Sequence, residues 1–259
     1  MELLSSTIMQ TLSDFLLPFL RISGMLISMI GLSARTIPTP VRTLLAVFLT
    51  LAILPVMPTV NVPDLFAPAS FVIMIQQVII GIALGFISAM VLDTFVLAGQ
   101  IIAMQTGLGF ASIVDPVNGI SVPAVGQFYL ILATLVFWSI DGHLAMIQMI
   151  TASFTAFPVG EAWFSAEQYK EIAHWGAWMF ISAITVALAP IVSLLIVNLA
   201  FGVMTKASPQ LNIFSIGFSI AQIMGLVIIF LTLENLTTHF ELQWDRAMTL
   251  MCQLVAVCQ

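Results

Sequence analysis

The chain has 259 residues, of which 61% are hydrophobic and 7% are charged, whereas water-soluble domains carry about 25% charged residues. Its formal net charge of −6 comes from 12 acidic and 6 basic residues, which excludes the basic face that nucleic-acid binding needs. Residues 65–92, 116–140, 175–205 and 207–233 contain no charged side chain. Each run exceeds the roughly 20 apolar residues of a membrane-spanning helix, so the composition predicts an all-α membrane protein.

The first apolar segment, residues 12–30, carries a charge in its interior. Arg21 is costly inside an apolar helix unless it pairs. Asp14 lies two turns away on the same segment, so we expect a partner for Arg21 on another segment. Because the chain begins without the basic residues of a signal peptide, we expect the apolar segments themselves to direct insertion.

The next two apolar segments are separated by prolines. A turn at residues 34–41 precedes a second helix at 43–57, and a run of prolines ends that helix because proline cannot continue it. The third segment runs from about residue 70 to 92, with a possible extension to 104. Within it, Gly81 and Gly85 lie four residues apart, a spacing that predicts close helix packing.

Residues 107–123 differ from the helical segments around them. They read GLGFASIVDPVNGISVP, with three glycines and two prolines, a composition typical of a loop. Loops normally face water, yet this one carries Leu108, Phe110, Ile113 and Val114. We therefore expect an apolar loop that lies inside protein.

The apolar stretch at residues 124–157 is too long for one straight crossing. Asp141, Gly142 and His143 divide it near its middle. The pattern predicts either two short helices or one helix with a bent, polar centre.

A new helix is predicted to begin at residue 166 and to run to about residue 204. Ser165 and Gln168 have the spacing of a capping box, and Phe164 and Tyr169 have that of a hydrophobic staple. Both motifs mark the start of a helix.

The C-terminal third predicts a helical hairpin and a tail. Residues 206–212 form a turn, 213–233 form the last long apolar helix, and 236–254 show the apolar periodicity of an amphipathic helix. Cys252 and Cys258 match no metal-site or disulfide framework, and we interpret them as incidental thiols.

The sequence contains no recognisable enzyme, cofactor-binding or metal-binding motif. Asp93, Asp115 and Asp141 are the ionisable residues nearest to the apolar runs, where a proton relay or intramembrane aspartyl catalysis would use them. However, Asp141 precedes Gly142 as Asp115 precedes Pro116, and such pairs are typical of turns. We therefore predict neither an enzyme nor a cofactor.

Three stretches, in order along the chain, resemble the FliR family of flagellar export-gate proteins. The first is GQII at 99–102 with QTGLGFASIVDP at 105–116, followed by Val122-Pro123 and Phe128. The second is DGHL at 141–144, and the third is NLAFG at 198–202 with SPQLNIF at 208–214. The resemblance covers about residues 10–250.

This resemblance implies an all-α architecture of membrane-associated helical hairpins within a helical multi-subunit ring. Residues 1–160 would be a FliP-like part and residues 161–259 a FliQ-like hairpin with an amphipathic tail. The implied partners are FliP-like and FliQ-like subunits, an FlhB-like subunit, unfolded export substrates and membrane lipid. The implied location is the bacterial inner membrane, at the flagellar basal body.

The resemblance also assigns residues to a gate. The apolar loop at about residues 107–118 matches the family's pore plug, for which a hydrophobic gate with glycine hinges is the expected mechanism. The plug residues are Gly107, Leu108, Gly109, Phe110, Ala111, Ser112, Ile113, Val114, Asp115 and Pro116. The turn expected at the cytoplasmic entrance contains Lys206, Pro209, Gln210, Leu211 and Asn212.

Two other function classes stay open from the residues alone. A stand-alone, proton-coupled secondary transporter of a small solute would use Asp93, Asp141 and His143. An intramembrane protease would need two facing aspartates. Both predict loss of activity when Asp93 or Asp141 is replaced by Asn.

Overall fold

The computed structural model describes residues 2–31, 37–58, 67–110, 112–114, 121–160, 164–207 and 213–255. Within these residues the all-α prediction is confirmed, because regular structure other than helix is confined to two strands of three residues each. The helices are α1 (Glu2–Ser28), α2 (Thr39–Ile53), α3 (Pro68–Thr106), α4 (Ala124–Ser139), α5 (Gly142–Ala156), α6 (Ala166–Ala207), α7 (Ile213–Thr232) and α8 (Leu236–Leu254).

Five helical segments of the described residues are long and apolar enough to cross a membrane, or six if α4 and α5 form one broken span. The longest are α3 with 39 residues and α6 with 42. At about 1.5 Å per residue, the length of each helix is about twice the thickness of a bilayer's hydrocarbon core, which is about 30 Å. A large part of both helices must therefore lie outside the hydrocarbon, or tilt strongly.

The chain divides into two compact units, each built from separate stretches of sequence. The first unit contains Met1–Ala89, Ile140–Trp175 and Asp245–Gln259, and the second contains Met90–Ser139 and Gly176–Trp244. This division describes packing within the chain. The two-part division by resemblance, at residue 160, stays a prediction.

In the first unit, α1 and α3 pack backbone to backbone through glycines. A Cβ atom added at Gly81 would collide with the carbonyl oxygen of Arg21 and would lie 2.9 Å from Met25 N. A Cβ atom at Gly85 would lie 2.5 Å from Met25 O, and one at Gly24 would lie 2.7 Å from Val78 O. The absence of a side chain at these positions is what permits the two helices to approach so closely.

The expected partners of Arg21 lie on other helices. Arg21 is fully buried in α1, and its guanidinium donates hydrogen bonds to Gln77 of α3 and to Ser153 and Phe157 at the end of α5. The prediction that its partner lies on another segment is therefore confirmed.

The predicted start of α6 is also confirmed. Ser165 N donates to Gln168 Oε1 at 2.7 Å, and Gln168 N donates to Ser165 Oγ at 3.3 Å, which is a capping box. The rings of Phe164 and Tyr169 meet edge to face at 5.6 Å. In addition, Gln168 Nε2 donates to Leu254 O at 2.7 Å, so the same side chain binds the last turn of α8.

The long apolar stretch after residue 123 forms two helices, the first of the two predicted alternatives. The break lies at Asp141, whose φ of 56° is in the left-handed region, where asparagine and aspartate are tolerated better than most residues. The carbonyl oxygen of Asp141 accepts hydrogen bonds from Leu144 N at 2.9 Å and Ala145 N at 3.1 Å. Asp141 therefore starts α5 through its backbone, and its side chain makes no capping bond.

In the second unit, α3 and α4 also approach through glycines. A Cβ atom at Gly99 would lie 2.7 Å from Gly126 Cα. Farther along α4, the ring of Phe137 meets that of Trp244 on α8 at a centroid distance of 5.1 Å. Small residues at one end and aromatic rings at the other thus let α4 contact both neighbouring helices.

One expectation about cysteine is wrong. Cys252 is buried near the end of α8 and is disulfide-bonded, although its sequence context suggested an incidental thiol. The other cysteine of the sequence, Cys258, lies outside the described residues.

Candidate pore-gate segment

The predicted plug contains short elements of regular structure. After α3 ends at Thr106, a single 3₁₀ turn spans Leu108–Phe110. Strand β1 (Ser112–Val114) then pairs antiparallel with strand β2 (Ser121–Pro123), with Ile113 opposite Val122. Ala111, Asp115 and Pro116 lie outside the described residues. The expectation of an irregular loop is therefore wrong for residues 108–110 and 112–114.

A sequence signal for this ribbon was available. Asn118-Gly119 lies between two short runs of β-branched residues, Ile113-Val114 and Ile120 with Val122. An Asn-Gly pair favours a turn between such runs, although five residues separate Val114 from Ile120 and the strongest hairpin signal has only two. The glycines and prolines of the same stretch favour a loop instead of a strand pair.

The segment is attached closely to the end of α3. Thr106 Oγ1 donates to Ala103 O at 3.0 Å and accepts a hydrogen bond from Leu108 N at 3.3 Å. Between them, Gly107 has a φ of 75°, a left-handed conformation that glycine adopts without steric cost. The chain therefore leaves α3 through a turn whose geometry depends on Thr106 and Gly107.

An apolar groove of about 430 Å³ adjoins the segment. Leu108 forms part of it, together with the start of α4 and the end of α7. The other lining residues are Ala124, Val125, Phe128, Leu226, Ile229, Phe230 and Leu233. Because every lining side chain is apolar, the groove can accept apolar groups but offers no side chain for acid–base or metal chemistry.

The family model for bacterial export proteins, family 1, matches residues 12–247. The chain belongs to this family. Flagellar biosynthetic protein FliR of Pectobacterium carotovorum subsp. carotovorum is 32% identical over 243 residues, which cover 94% of this chain and 93% of the relative. FliR of Escherichia coli (strain K12) is 34% identical over 209 residues, 81% of this chain and 80% of the relative. FliR of Bacillus subtilis (strain 168) is 29% identical over 218 residues, 82% and 83% respectively.

Membership in the bacterial export proteins confirms the resemblance predicted from the sequence. It also agrees with the prediction that the chain is not an enzyme, because the matched family is one of export proteins. Among the described residues, no group of three or more His, Cys, Asp or Glu side chains could hold a metal ion.

The other predicted site residues of this bacterial export protein belong to other segments of the sequence. Lys206 is exposed in the last turn of α6, whereas Pro209, Gln210, Leu211 and Asn212 lie outside the described residues. Gly81 and Gly85 face α1 in the first unit.

The residues of the transporter and protease hypotheses are dispersed along the chain. Asp93 is exposed on α3, Asp141 is exposed at the break before α5, and His143 is partly buried in the first turn of α5. Their positions supply no observation that favours a small-solute transporter or a protease over an export protein.

Proposed function

We propose that this chain is a structural and gating subunit of the flagellar type III protein export channel. It would complete the export-gate core with FliP-like and FliQ-like subunits and contact an FlhB-like subunit. Its place would be the inner membrane at the flagellar basal body, where unfolded export substrates pass through the core.

The observation that carries this proposal is the match of residues 12–247 to a family of bacterial export proteins. The relatives named flagellar biosynthetic protein FliR cover 94% and 81% of the chain, so the likeness is not confined to one motif. The five or six membrane-length helical segments of the described residues agree with a membrane-embedded component.

The apolar surface of the chain supports assembly with other subunits. In the most apolar 18-residue window of α6, 28% of the residues are buried within the chain, compared with 44% for α3. The exposed large residues of this helix include Trp178, Phe180, Ile184, Leu188, Leu195, Ile196 and Leu199. Such a surface needs lipid or partner subunits to cover it, as expected for a subunit of a ring.

The plug hypothesis rests on the chemistry of residues 107–116. Apolar groups close a pore by excluding water, without leaving charged groups unpaired. Phe110, Ile113 and Val114 supply the bulk, and Gly107 supplies a backbone conformation that most residues avoid. The apolar groove beside Leu108 offers a surface on which apolar side chains of the segment can rest.

Ion leak through the assembled complex tests the gate. We would delete residues 109–114 from the full chain, express it with its FliP-like and FliQ-like partners, and measure ion flux across vesicles that contain the complex. Leak is expected to rise, because the bulk of the plug is removed. A triple variant, Phe110→Ser, Ile113→Ser and Val114→Ser, keeps the chain length and should also leak.

Two controls separate gating from assembly. Native mass spectrometry of each variant must find the chain in a complex with both partners. Gly202→Ala, at an exposed position of α6 where an added Cβ meets nothing within 4 Å, should leave the leak at the wild-type level. An assembled complex that lacks residues 109–114 and does not leak contradicts the plug, whereas a wild-type chain that ignores both partners contradicts the subunit assignment.

A further inference from the structure

Arg21 is a buried charge without an acidic partner among the described residues. It lies in the membrane-length segment Thr7–Ser28 with 0% of its surface exposed. The described residues include no carboxylate that forms an ion pair with it. Arginine keeps its charge in proteins, so neutral groups must compensate this one.

The guanidinium of Arg21 is bound through all three of its nitrogen atoms. Nε donates to Gln77 Oε1 at 2.7 Å, and Nη2 donates to the carbonyl oxygen of Phe157 at 3.1 Å. Nη1 donates to both the carbonyl oxygen and Oγ of Ser153, each at 3.0 Å. The Cζ atom lies 4.3 Å from the ring centroid of Phe154, a distance that gives a cation–π contact.

Two of these acceptors are main-chain carbonyls at the end of α5. That helix has no basic residue in its last turn. The residue after its C-cap Phe157 is Pro158, which has no N–H and does not adopt the left-handed conformation that commonly closes a helix. The carbonyl oxygen of Ser153 also accepts a hydrogen bond from Phe157 N at 2.9 Å, whereas the last carbonyls of a helix, such as that of Phe157, lack partners within it. The negative end of the helix dipole lies at the same place. The end of α5 therefore has neither a cation of its own nor a left-handed closing residue.

We infer that Arg21 is the C-terminal cap of α5, supplied from another helix, and that it positions the end of α5 against α1 and α3. Its positive charge lies at the negative end of the dipole, and its planar fork of donors reaches two carbonyls at once. Gln77 orients the guanidinium from α3. Ser153 gives its own hydroxyl proton to Ile150 O at 2.6 Å, which leaves its oxygen free to accept from Nη1.

The arrangement joins parts of the chain that are synthesised far apart. Gln77 follows Arg21 by 56 residues, and Ser153 and Phe157 follow it by 132 and 136. An unpaired arginine inside a membrane helix is unfavourable. The final placement of α1 therefore depends on the arrival of α5.

Hydrogen exchange of the full chain in its complex tests this role. Replacing Arg21 by Met should make the amides at residues 153–157 exchange roughly tenfold faster, because charged hydrogen bonds at the helix end are lost. The amides of α2 should be unchanged. Arg21→Lys keeps the charge but loses the fork, so about threefold faster exchange is expected at the same residues.

A second substitution distinguishes capping from packing. Thr155 is exposed in the last turn of α5, and Thr155→Lys gives that helix a cation of its own. In the Arg21→Met background it should restore at least part of the protection at residues 153–157, and alone it should change little.

Capping is overturned if Arg21→Met speeds exchange equally along α1, α3 and α5, or if Thr155→Lys restores nothing. If Arg21→Met prevents assembly, the same comparison is made with Arg21→Lys, alone and combined with Thr155→Lys. Unchanged protection of residues 153–157 in Arg21→Lys then overturns the role of the fork.

Discussion

The packing of α1 on α3 differs in kind from the packing around the apolar groove. Where α1 meets α3, backbones touch at Gly81 and Gly85, and the buried Arg21 is bound through each of its nitrogens. Around the groove, Leu108 and apolar side chains of α4 and α7 line a space of about 430 Å³. Hydrogen bonds and backbone contacts fix one geometry, whereas apolar contacts are non-directional and can be remade. The first region suits a fixed support and the second suits a part that moves.

The largest effect is expected where α1 and α3 touch. In Gly81→Ala, the new Cβ collides with the backbone of α1, which cannot move aside as a side chain can. Overpacking of this kind costs about 1–3 kcal/mol, so the thermal unfolding midpoint of the chain in detergent should fall.

A matched glycine provides the control for Gly81. Gly202 also lies inside a long helix, α6, but an added Cβ there meets nothing within 4 Å. Gly202→Ala should be neutral or stabilising by up to about 1 kcal/mol, because alanine favours helix over glycine. Equal unfolding midpoints for Gly81→Ala and Gly202→Ala would contradict the fixed backbone contact of α1 with α3 at Gly81.

A smaller effect is expected at one tight point beside the groove. A Cβ atom at Gly225 of α7 would collide with Cγ2 of Thr106 and lie 2.9 Å from its Cβ. Gly225→Ala should lower the free energy of unfolding by about 1 kcal/mol.

Thr106→Ser should restore part of the stability lost in Gly225→Ala, because it removes Cγ2 but keeps Cβ and the hydroxyl that binds Ala103 and Leu108. A double-mutant cycle on the unfolding free energy measures this coupling. Additive effects of the two substitutions would mean that residues other than Thr106 move to accommodate the new Cβ at position 225.

An effect of similar size, confined to one turn, is expected where the chain enters the proposed plug. Gly107 has a φ of 75°, so Gly107→Ala should destabilise the turn by roughly 1 kcal/mol and slow export of a reporter substrate. Gly109→Ala, whose Cβ would meet its nearest atom at 3.5 Å, should be nearly silent. Equal export rates for the two variants would indicate that the turn at Gly107 is not needed for gating.

Features set by neighbouring residues could be predicted from the sequence. The capping box at Ser165 and Gln168, the break at Asp141 and the apolar length of α3 depend on contacts within a few positions, where residue type and spacing carry the information. The family likeness was predictable for the same reason, since each of its stretches is a short run of residues.

Features set by distant residues could not be predicted in this way. The need of Arg21 for a partner follows from its apolar segment, but nothing in the spacing indicates Gln77, Ser153 or Phe157, which meet it only after the helices pack. The ribbon of β1 and β2 was not predicted from the sequence for another reason. Its Asn-Gly pair and its loop-forming glycines and prolines give opposite local signals, and pairing between strands decides the outcome.

The double use of Gln168 affects how this protein can be shortened or fused. Its side-chain oxygen, Oε1, accepts a hydrogen bond from Ser165 N at the start of α6, while its side-chain nitrogen, Nε2, donates to the main-chain carbonyl of Leu254. A single rotamer of Gln168 therefore makes the contacts with both helix ends. Truncating the chain before Leu254 removes the acceptor and leaves the Gln168 side chain freer to rotate. A change at the C-terminal end of α8 should therefore increase fraying of the first turn of α6, 86 residues earlier in the sequence.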